Sequence, residues 1–308
     1  TPLALLRPLW MKLIGGEVSR ARLMTLMYST DTPVLSDHEL QALLTEDVPF
    51  GDLTTEALGI AGRAGRIRFE ARDPMVVCGT EEAARLFALC GAHSELQAPS
   101  GRAAEPGTPL LTATGPAGAL HRAWKSAQTL VEWCSGMASS AAAIQAAARR
   151  GHPDAIVAGT RKNVPGTRRL AVKAFRAGGA VMHRCGLSET ILVFAEHRQF
   201  LTDASPATAI ANLRRQAPEK RVVVEVHSLD EALDWAEADV LQLEKLAPEA
   251  VAEVIDALAT RGSSALVAAA GGINARNAED YARAGARLLV TSAPHQAQPR
   301  DVQVRFTA

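Results

Sequence analysis

The chain is expected to be an α/β protein in two parts: a small α+β unit, then strand-helix repeats of the kind that build a β/α barrel. Three observations lead there. From Asp154 onward, short apolar runs at 155–158, 191–195, 222–226, 240–243, 265–269 and 288–291 alternate with helical stretches at 168–177, 206–217, 229–238, 248–260 and 275–284. These runs are continuously apolar, as strands covered on both faces by helices are. Before them, residues 36–115 break into short pieces between turns, some alternating polar with apolar. Six or seven repeats in this length suit a barrel, complete or incomplete. A doubly wound open sheet is the alternative, although no GxGxxG follows the first run.

In chain order, residues 1–33 carry Arg7, Lys12, Arg20 and Arg22 against Glu17 before Asp31. Lys12 interrupts the apolar run that begins at Leu9, so no secretory signal is expected there. The segment reads as an extension without function, with Met24 or Met27 as alternative starts. Ser36-Asp37-His38-Glu39 is a capping box opening a helix through Leu44. Glu46-Asp47 and Gly51-Asp52-Leu53-Thr54-Thr55 make an acidic turn. Strands are expected at 66–71, 75–78 and 109–114, with Asp73-Pro74 and Pro106-Gly107 as turns and a helix over 80–90 closed by Gly91. Residues 117–150 are Ala-rich and helical, long enough to bridge two domains, with Ser135-Gly136 expected to break the helix midway.

The hydrophobic share of 47% supports a sizeable core, and an aromatic share of only 4% favours close-packed helices on a sheet. Lys+Arg and Asp+Glu are 33 each, so the net charge is zero, and nucleic acid, which demands a basic excess, is not an expected partner. Cys78, Cys90, Cys134 and Cys185 form no CxxC and no zinc spacing. They are expected to be small buried or partly buried thiols in a cytoplasmic setting. No apolar run reaches the length of a membrane span, so no membrane partner is expected.

The polar chemistry concentrates in residues 159–196, GTRKNVPGTRRLAVKAFRAGGAVMHRCGLSETILVFAE. Gly159, Pro165-Gly166 and Gly178-Gly179 mark turns where side chains can converge. Arg161 and Lys162 sit on a loop between turns, which suits an anion: Arg offers a planar fork and Lys a point charge. A solvated basic surface is the ordinary alternative. Placement on the strands favours the site. In a β/α barrel the chemistry gathers at the carboxyl ends of strands. Arg161-Lys162 follows the first strand, Glu196-His197 the second, and Glu225 caps the third. Glu244-Lys245 follows the fourth, Gly271-Gly272-Ile273-Asn274 the fifth, and Thr291-Ser292 the last. These groups are therefore expected on one rim. Buried carboxylates there ask for a cation or a metal. Gly271-Gly272, leading into a helix expected to be capped by Asn274, offers bare N–H groups to a phosphate.

Four blocks then resemble a known family. Glu46-Asp47 with Gly51-Asp52-Leu53-Thr54-Thr55 is the first, and Thr160-Arg161-Lys162 with Pro165-Gly166 the second. The others are Gly178-Gly179 with His183-Arg184-Cys185-Gly186-Leu187, and Ala270-Gly271-Gly272-Ile273. Together they resemble quinolinate phosphoribosyltransferase (nicotinate-nucleotide pyrophosphorylase) over roughly residues 36–295. The resemblance implies an N-terminal α/β sandwich domain plus an incomplete parallel β/α barrel. It divides the chain into an extension at 1–33, a sandwich domain at 34–116 completed by 293–308, and a barrel at 117–292. It also implies a homodimer with shared active sites.

Three stretches depart from the family. Its bridging helix starts Glu-Arg-Thr-Ala-Leu-Asn, where 124–129 reads Trp-Lys-Ser-Ala-Gln-Thr, so Lys125 replaces an arginine that reaches the partner subunit's site. Its second barrel strand carries Leu-Ile-Lys-Asp-Asn-His, where 192–197 reads Leu-Val-Phe-Ala-Glu-His, so Phe194 and Ala195 replace Lys and Asp. Its Leu-Asp-Asn becomes Leu243-Glu244-Lys245. This set is similar to a branch of the family associated with molybdenum utilisation.

The implied reaction moves a phosphoribosyl group from phosphoribosyl pyrophosphate to a ring nitrogen of a heterocyclic acid, with Mg²⁺ sharing the donor's charge. By resemblance, Lys162, Glu225 and Glu244 are catalytic, and Glu225 with Glu244 hold Mg²⁺. Lys125, Arg161, His183, Arg184 and Phe194 bind substrate, with Lys125 reaching the partner subunit's site. Gly271, Gly272 and Ser292 bind the phosphate. The cation missing at Phe194 removes a charged hydrogen bond worth ~1.5–3 kcal/mol, or roughly ten- to a hundredfold in affinity. The acceptor is thus expected to be less anionic or larger than quinolinate. The alternatives are a decarboxylating quinolinate enzyme of NAD synthesis and a non-catalytic protein that binds a phosphorylated ligand.

Overall fold

The computed structural model describes residues 30–201 and 204–308, so the extension read over 1–33 lies almost wholly outside the described residues. The expected capping box is present. Helix α1 (Asp37–Asp47) starts where the Ser36 N–H donates to Glu39 Oε2 at 2.8 Å and Ser36 Oγ accepts from the Glu39 N–H. The helix α2 (Leu53–Ala57) is capped by Asp52, which accepts from the Thr55 N–H at 3.1 Å. There follow β1 (Ala64–Ala71), β2 (Met75–Val76), α3 (Thr80–Leu89), β3 (His93–Leu96), β4 (Ala103–Ala104) and β5 (Pro109–Pro116). Strand β1 pairs antiparallel with β5, and β3 extends the sheet beyond β5. The other edge of β1 is covered by the last strand of the chain, Val302–Thr307, in the register Arg66↔Thr307 to Ala71↔Val302. The strand expected over 75–78 is present as β2, whereas β3, the two-residue β4 and the closing strand are too short or too polar to stand out in the sequence.

Helix α4 (Ala117–Gly151) runs unbroken for 35 residues, so the expected break at Ser135-Gly136 does not occur. Both residues answer to packing. Ser135 Oγ accepts the buried Cys78 N–H at 3.0 Å. A Cβ on Gly136 would lie 2.4 Å from the Gln298 carbonyl oxygen, so glycine there allows the C-terminal segment to cross the helix backbone. A helical glycine costs about 1 kcal/mol against alanine, which the length of the helix absorbs. The first half of α4 buries Leu120, Ala127, Val131 and Met137 in the core of the small unit, and its second half buries Ala141, Ile144 and Ala148 in the barrel core.

The barrel comprises β6 (Ile156–Gly159), α5 (Arg168–Ala177), β7 (Val181–Met182), β8 (Ile191–Val193), α6 (Ala195–Arg198), α7 (Pro206–Gln216) and β9 (Val222–Val226). It continues through α8 (Leu229–Asp234), β10 (Val240–Glu244), α9 (Pro248–Thr260), β11 (Leu266–Ala270), α10 (Ala278–Arg283) and β12 (Leu288–Thr291); the closing strand is β13 (Val302–Thr307). The seven strands pair in the order β7-β6-β12-β11-β10-β9-β8, all parallel. The expected incomplete barrel is therefore the architecture. Because β7 and β8 stand at opposite edges, residues 183–190 carry the chain across the open side. The short β7 is the barrel strand that the apolar pattern missed.

Helix α5 joins the two cores. Leu170, Ala171 and Ala174 pack on the small unit while Phe175 packs in the barrel. Between them Lys173 is 2% exposed and donates to Glu81 Oε2 at 2.9 Å, Glu82 Oε2 at 2.6 Å and the Thr32 carbonyl at 3.0 Å. The same two acids accept the N–H groups of Ser100 and Val34. A buried charge is tolerable when it is paired and hydrogen-bonded in this way.

Candidate active site

The carboxyl ends of the barrel strands surround a cleft of about 720 Å³. Its lining includes Arg161, Lys162, His183, Arg184, Phe194, Glu225, Glu244, Gly271, Gly272 and Ser292. Those sequence-predicted residues thus converge on one mouth. Below it the barrel interior is filled by small apolar side chains, among them Ala158, Leu192, Val223, Ala268 and Val290.

The cationic side begins where β6 ends. The Thr160 N–H donates to the Thr291 carbonyl at 3.1 Å, and Thr160 Oγ1 accepts from the Lys162 N–H. His295 Nε2 donates to the Thr160 carbonyl at 2.9 Å, with its ring 4.8 Å from that of Phe175. The sequence reading missed His295, which holds the Thr160-Arg161-Lys162 loop from beneath; its only signal was a histidine shortly after the last barrel strand. On the same side, just past the neighbouring edge strand β7, the His183 N–H donates to the Gly159 carbonyl at 3.0 Å. Burial first, and the Arg184 charge second, push the His183 pKa down, so the neutral imidazole is favoured.

Arg184 is 5% exposed, and no acid among the described residues pairs with it. Its guanidinium carbon lies 5.4 Å from the centroid of the Phe194 ring. Burial, then the neighbouring Arg161 charge, lower its pKa. Phe194 itself follows β8 and caps the short helix α6. Its N–H donates to His197 Nδ1 at 3.0 Å, and the two rings stack at 5.7 Å and 13°.

The acidic side faces these cations. Gln242 and Glu225 are register neighbours on β10 and β9, and Gln242 Nε2 donates to Glu225 Oε2 at 2.8 Å. Burial, then the Glu244 charge, raise the Glu225 pKa. Gln242 Oε1 is buried with no partner among the described residues. Gln242 was also missed. Its signal is the polar residue two before Glu244, which strand alternation places on the same face.

The glycine loop differs from expectation in its helix. Helix α10 opens at Ala278 with Asn277 before it, not at Asn274. Asn274 instead donates its N–H to Asn277 Oδ1 at 2.8 Å, and both asparagine amides donate to the Gly272 carbonyl at 2.9 and 3.1 Å. The chain needs a tight loop before it can turn helical, and the two asparagines build it. Gly271 and Gly272 both take left-handed conformations, at φ 87° and 81°. A Cβ on Gly272 would meet nothing within 4 Å, so the backbone there is bare to the cleft. Lys245, opposite Gly271, is the one non-glycine residue with positive φ among the described residues, and such strain is concentrated at functional sites.

Lys125 is not in this cleft. It is exposed on α4, donates to Gln128 Oε1 at 3.1 Å, and lies 4.7 Å from the Trp124 ring centroid. Beside it is a second hollow of about 590 Å³, lined by Asp52, Thr55, His121 and Trp124 and rimmed by Leu53 and Leu58. Thr55 Oγ1 donates to Asp52 Oδ2 at 2.5 Å and lies 3.0 Å from His121 Nδ1. The acidic Gly51-to-Thr55 motif therefore belongs to this second face. Leu53 and Phe50 are 82% and 98% exposed there. The four cysteines are free thiols, with Cys78 and Cys134 buried. No helix among the described residues is long and apolar enough to cross a membrane.

Comparison with known proteins places this geometry. Residues 52–135 match the N-terminal domain of quinolinate phosphoribosyl transferase, and residues 137–305 match its C-terminal domain. A Rhodobacter capsulatus protein carried under the provisional description pyrophosphorylase ModD is 51% identical over 83% of this chain and 99% of its own length. Nicotinate-nucleotide pyrophosphorylase [carboxylating] of Mycobacterium leprae is 31% identical over 84% of this chain and 95% of its own. The crystal structure of NadC from Streptococcus pyogenes superposes with a TM-score of 0.80 at 26% identity, covering 88% of this chain and 96% of that one. The chain belongs to the quinolinate phosphoribosyl transferase family, and by class it is a pentosyltransferase.

Proposed function

We propose that the cleft transfers the phosphoribosyl group of phosphoribosyl pyrophosphate to a ring nitrogen of a heterocyclic acid. The observation that carries this reading is Arg184, a buried guanidinium beside another arginine with no acid to balance it. Burying such a charge unpaired is costly, so the site is built for an anion that the chain does not itself supply. Carboxylates across the same cleft suit sugar hydroxyls and a hard cation, while the bare Gly271-Gly272 backbone suits a phosphate.

In this reading Gly271, Gly272 and Ser292 hold the 5′-phosphate. Glu225 and Glu244 accept from the ribose hydroxyls. Lys162 and His183 line the pyrophosphate, and Arg161 and Arg184 take the acceptor's anionic group beside Phe194. The acceptor nitrogen's lone pair forms a bond to C1′ as the C1′–O bond breaks and its electrons leave with pyrophosphate. Positive charge builds on the ribose in between, and the carboxylates face it. Positioning and electrostatic stabilisation carry the catalysis. Glu225 and Glu244 would hold Mg²⁺ through oxygen donors, with the unpartnered Gln242 Oε1 close to Glu225, and oxygen donors fit that ion's chemistry. When bound, Mg²⁺ neutralises pyrophosphate charge.

The second face belongs to the same proposal. A homodimer seated on the exposed Phe50, Leu53 and Leu58 brings Lys125 to the partner subunit's cleft. Action in the cytoplasm and a setting in molybdenum utilisation rest on the family resemblance. The test is pyrophosphate release from phosphoribosyl pyrophosphate and Mg²⁺ against a panel of pyridine and azole acids. Stoichiometric pyrophosphate and nucleotide with one of them is the expected result. Ligand binding by calorimetry with no pyrophosphate from any acceptor would sink catalysis in favour of a binding protein.

A further inference from the structure

We infer that the acceptor is a flat azole-type acid with one anionic group and one ring N–H, and that Glu196 takes the N–H proton as the ring becomes glycosylated. The inference rests on the phosphoribosyl-transfer reading. Phe194 and Glu196 leave the end of β8 two positions apart, and both line the cleft. The Phe194 ring is fixed in place by the stacked His197 ring and by the His197 Nδ1 that accepts the Phe194 N–H. Arg184 lies against the same phenylalanine. A braced aromatic wall with a buried guanidinium at its side accepts a planar ring that carries a negative group on one edge.

Glu196 sets the other edge. Its carboxylate is exposed at the mouth of the cleft, where it makes no ion pair and no hydrogen bond with any described residue. Its charge reaches Glu225. A second carboxylate on the acceptor would meet that repulsion, whereas an N–H would find an acceptor. The chemistry follows from the proton count. A pyridine nitrogen bonds to C1′ through its lone pair, has no proton to lose, and ends as a cation. An azole bonds through its pyridine-like nitrogen and must shed the proton of its other ring nitrogen to end neutral. In the proposed step the lone pair bonds to C1′, the C1′–O electrons leave with pyrophosphate, and the N–H proton passes to the Glu196 carboxylate and then to water.

The experiment holds donor and Mg²⁺ fixed and varies the acceptor: an azole monocarboxylate, a pyridine monocarboxylate and a pyridine dicarboxylate. Donor binding is measured separately by calorimetry. The azole acid is expected to lead in kcat/KM. Glu196→Gln is expected to lower azole kcat about a hundredfold, within the range of general-base effects, with donor affinity kept and partial rescue by Glu196→Asp. Donor binding together with preference for the dicarboxylate, or with azole turnover indifferent to Glu196→Gln, overturns the acceptor inference and leaves the transfer reading standing. Failure of the donor to bind overturns both.

Discussion

Among the described residues two cations are buried, Lys173 between the cores and Arg184 in the cleft, at 2% and 5% exposure. Lys173 meets two carboxylates and a carbonyl within 3.0 Å. Arg184 meets an aromatic ring and the field of Arg161. The fold completes one charge and leaves the other open. Burial costs both alike, so only the first is a feature of stability. The second is kept against stability, which is the usual mark of a group whose counter-charge comes with a ligand.

The sharpest way to break this comparison is Lys173→Met. Removing the ammonium strands Glu81 and Glu82 in the interior, and breaking a buried pair from one side costs about 3–5 kcal/mol. The denaturant midpoint should fall accordingly, and adding Glu81→Gln and Glu82→Gln should recover part of the loss. A midpoint near that of the wild type would mean the cluster is not the joint between the two cores.

Arg184→Met is the counterpart. It keeps most of the volume and removes an unbalanced charge, so the midpoint should stay level or rise. Acceptor affinity should fall by roughly ten- to a hundredfold, as loss of one charged hydrogen bond of ~1.5–3 kcal/mol implies. If this variant lost as much stability as Lys173→Met, the two charges would be equivalent after all. Phe194→Lys is a smaller step in the opposite direction. It adds a second cation beside Arg184, and affinity for a pyridine dicarboxylate should rise by about tenfold, the effect of ~1.4 kcal/mol.

The same pair shows what the sequence could and could not tell. His183-Arg184 was legible because a turn and an apolar run bracketed it. Lys173 was not, since Arg168, Arg169 and Arg176 around it are exposed and the whole helix reads as a solvated basic face. Its burial depends on α3, whose Glu81 and Glu82 lie 92 and 91 residues earlier in the chain, swinging two acids toward it. Barrel strands were legible to within a residue or two because continuous apolar runs need both faces covered. The Ser135-Gly136 break was misjudged for the opposite reason: a glycine that punctuates a chain locally is indistinguishable from one that lets a distant backbone pass. Gly271-Gly272 was read as backbone exposed to a ligand, but the helix start was placed early because Asn274 and Asn277 are equally good caps on paper. Gln242 and His295 act through partners on other strands or loops, which no local pattern encodes.

The mildest difference between the two cations should appear on acidification. Burial is the main cause that lowers the pKa of His183, seconded by the Arg184 charge, and burial also lowers that of His295. Each folded value then lies below the ordinary histidine value of about 6.5, so the unfolded chain binds more protons in that window. Stability should be full above about pH 7 and fall as pH drops through 6.5 toward the folded values. Lys173 behaves oppositely. Burial alone would lower its pKa, but Glu82 and Glu81 outweigh it and the net shift is upward. Its contribution is fully present between pH 5 and 7 and is lost only as pH rises above about 10.4. Melting curves between pH 7 and 5 should therefore slope down by a few degrees. Arg184→Met should flatten part of that slope, because it removes the second cause acting on His183. An unchanged slope in that variant would show that burial alone sets the histidine, and that the open charge of the cleft does not reach its neighbour.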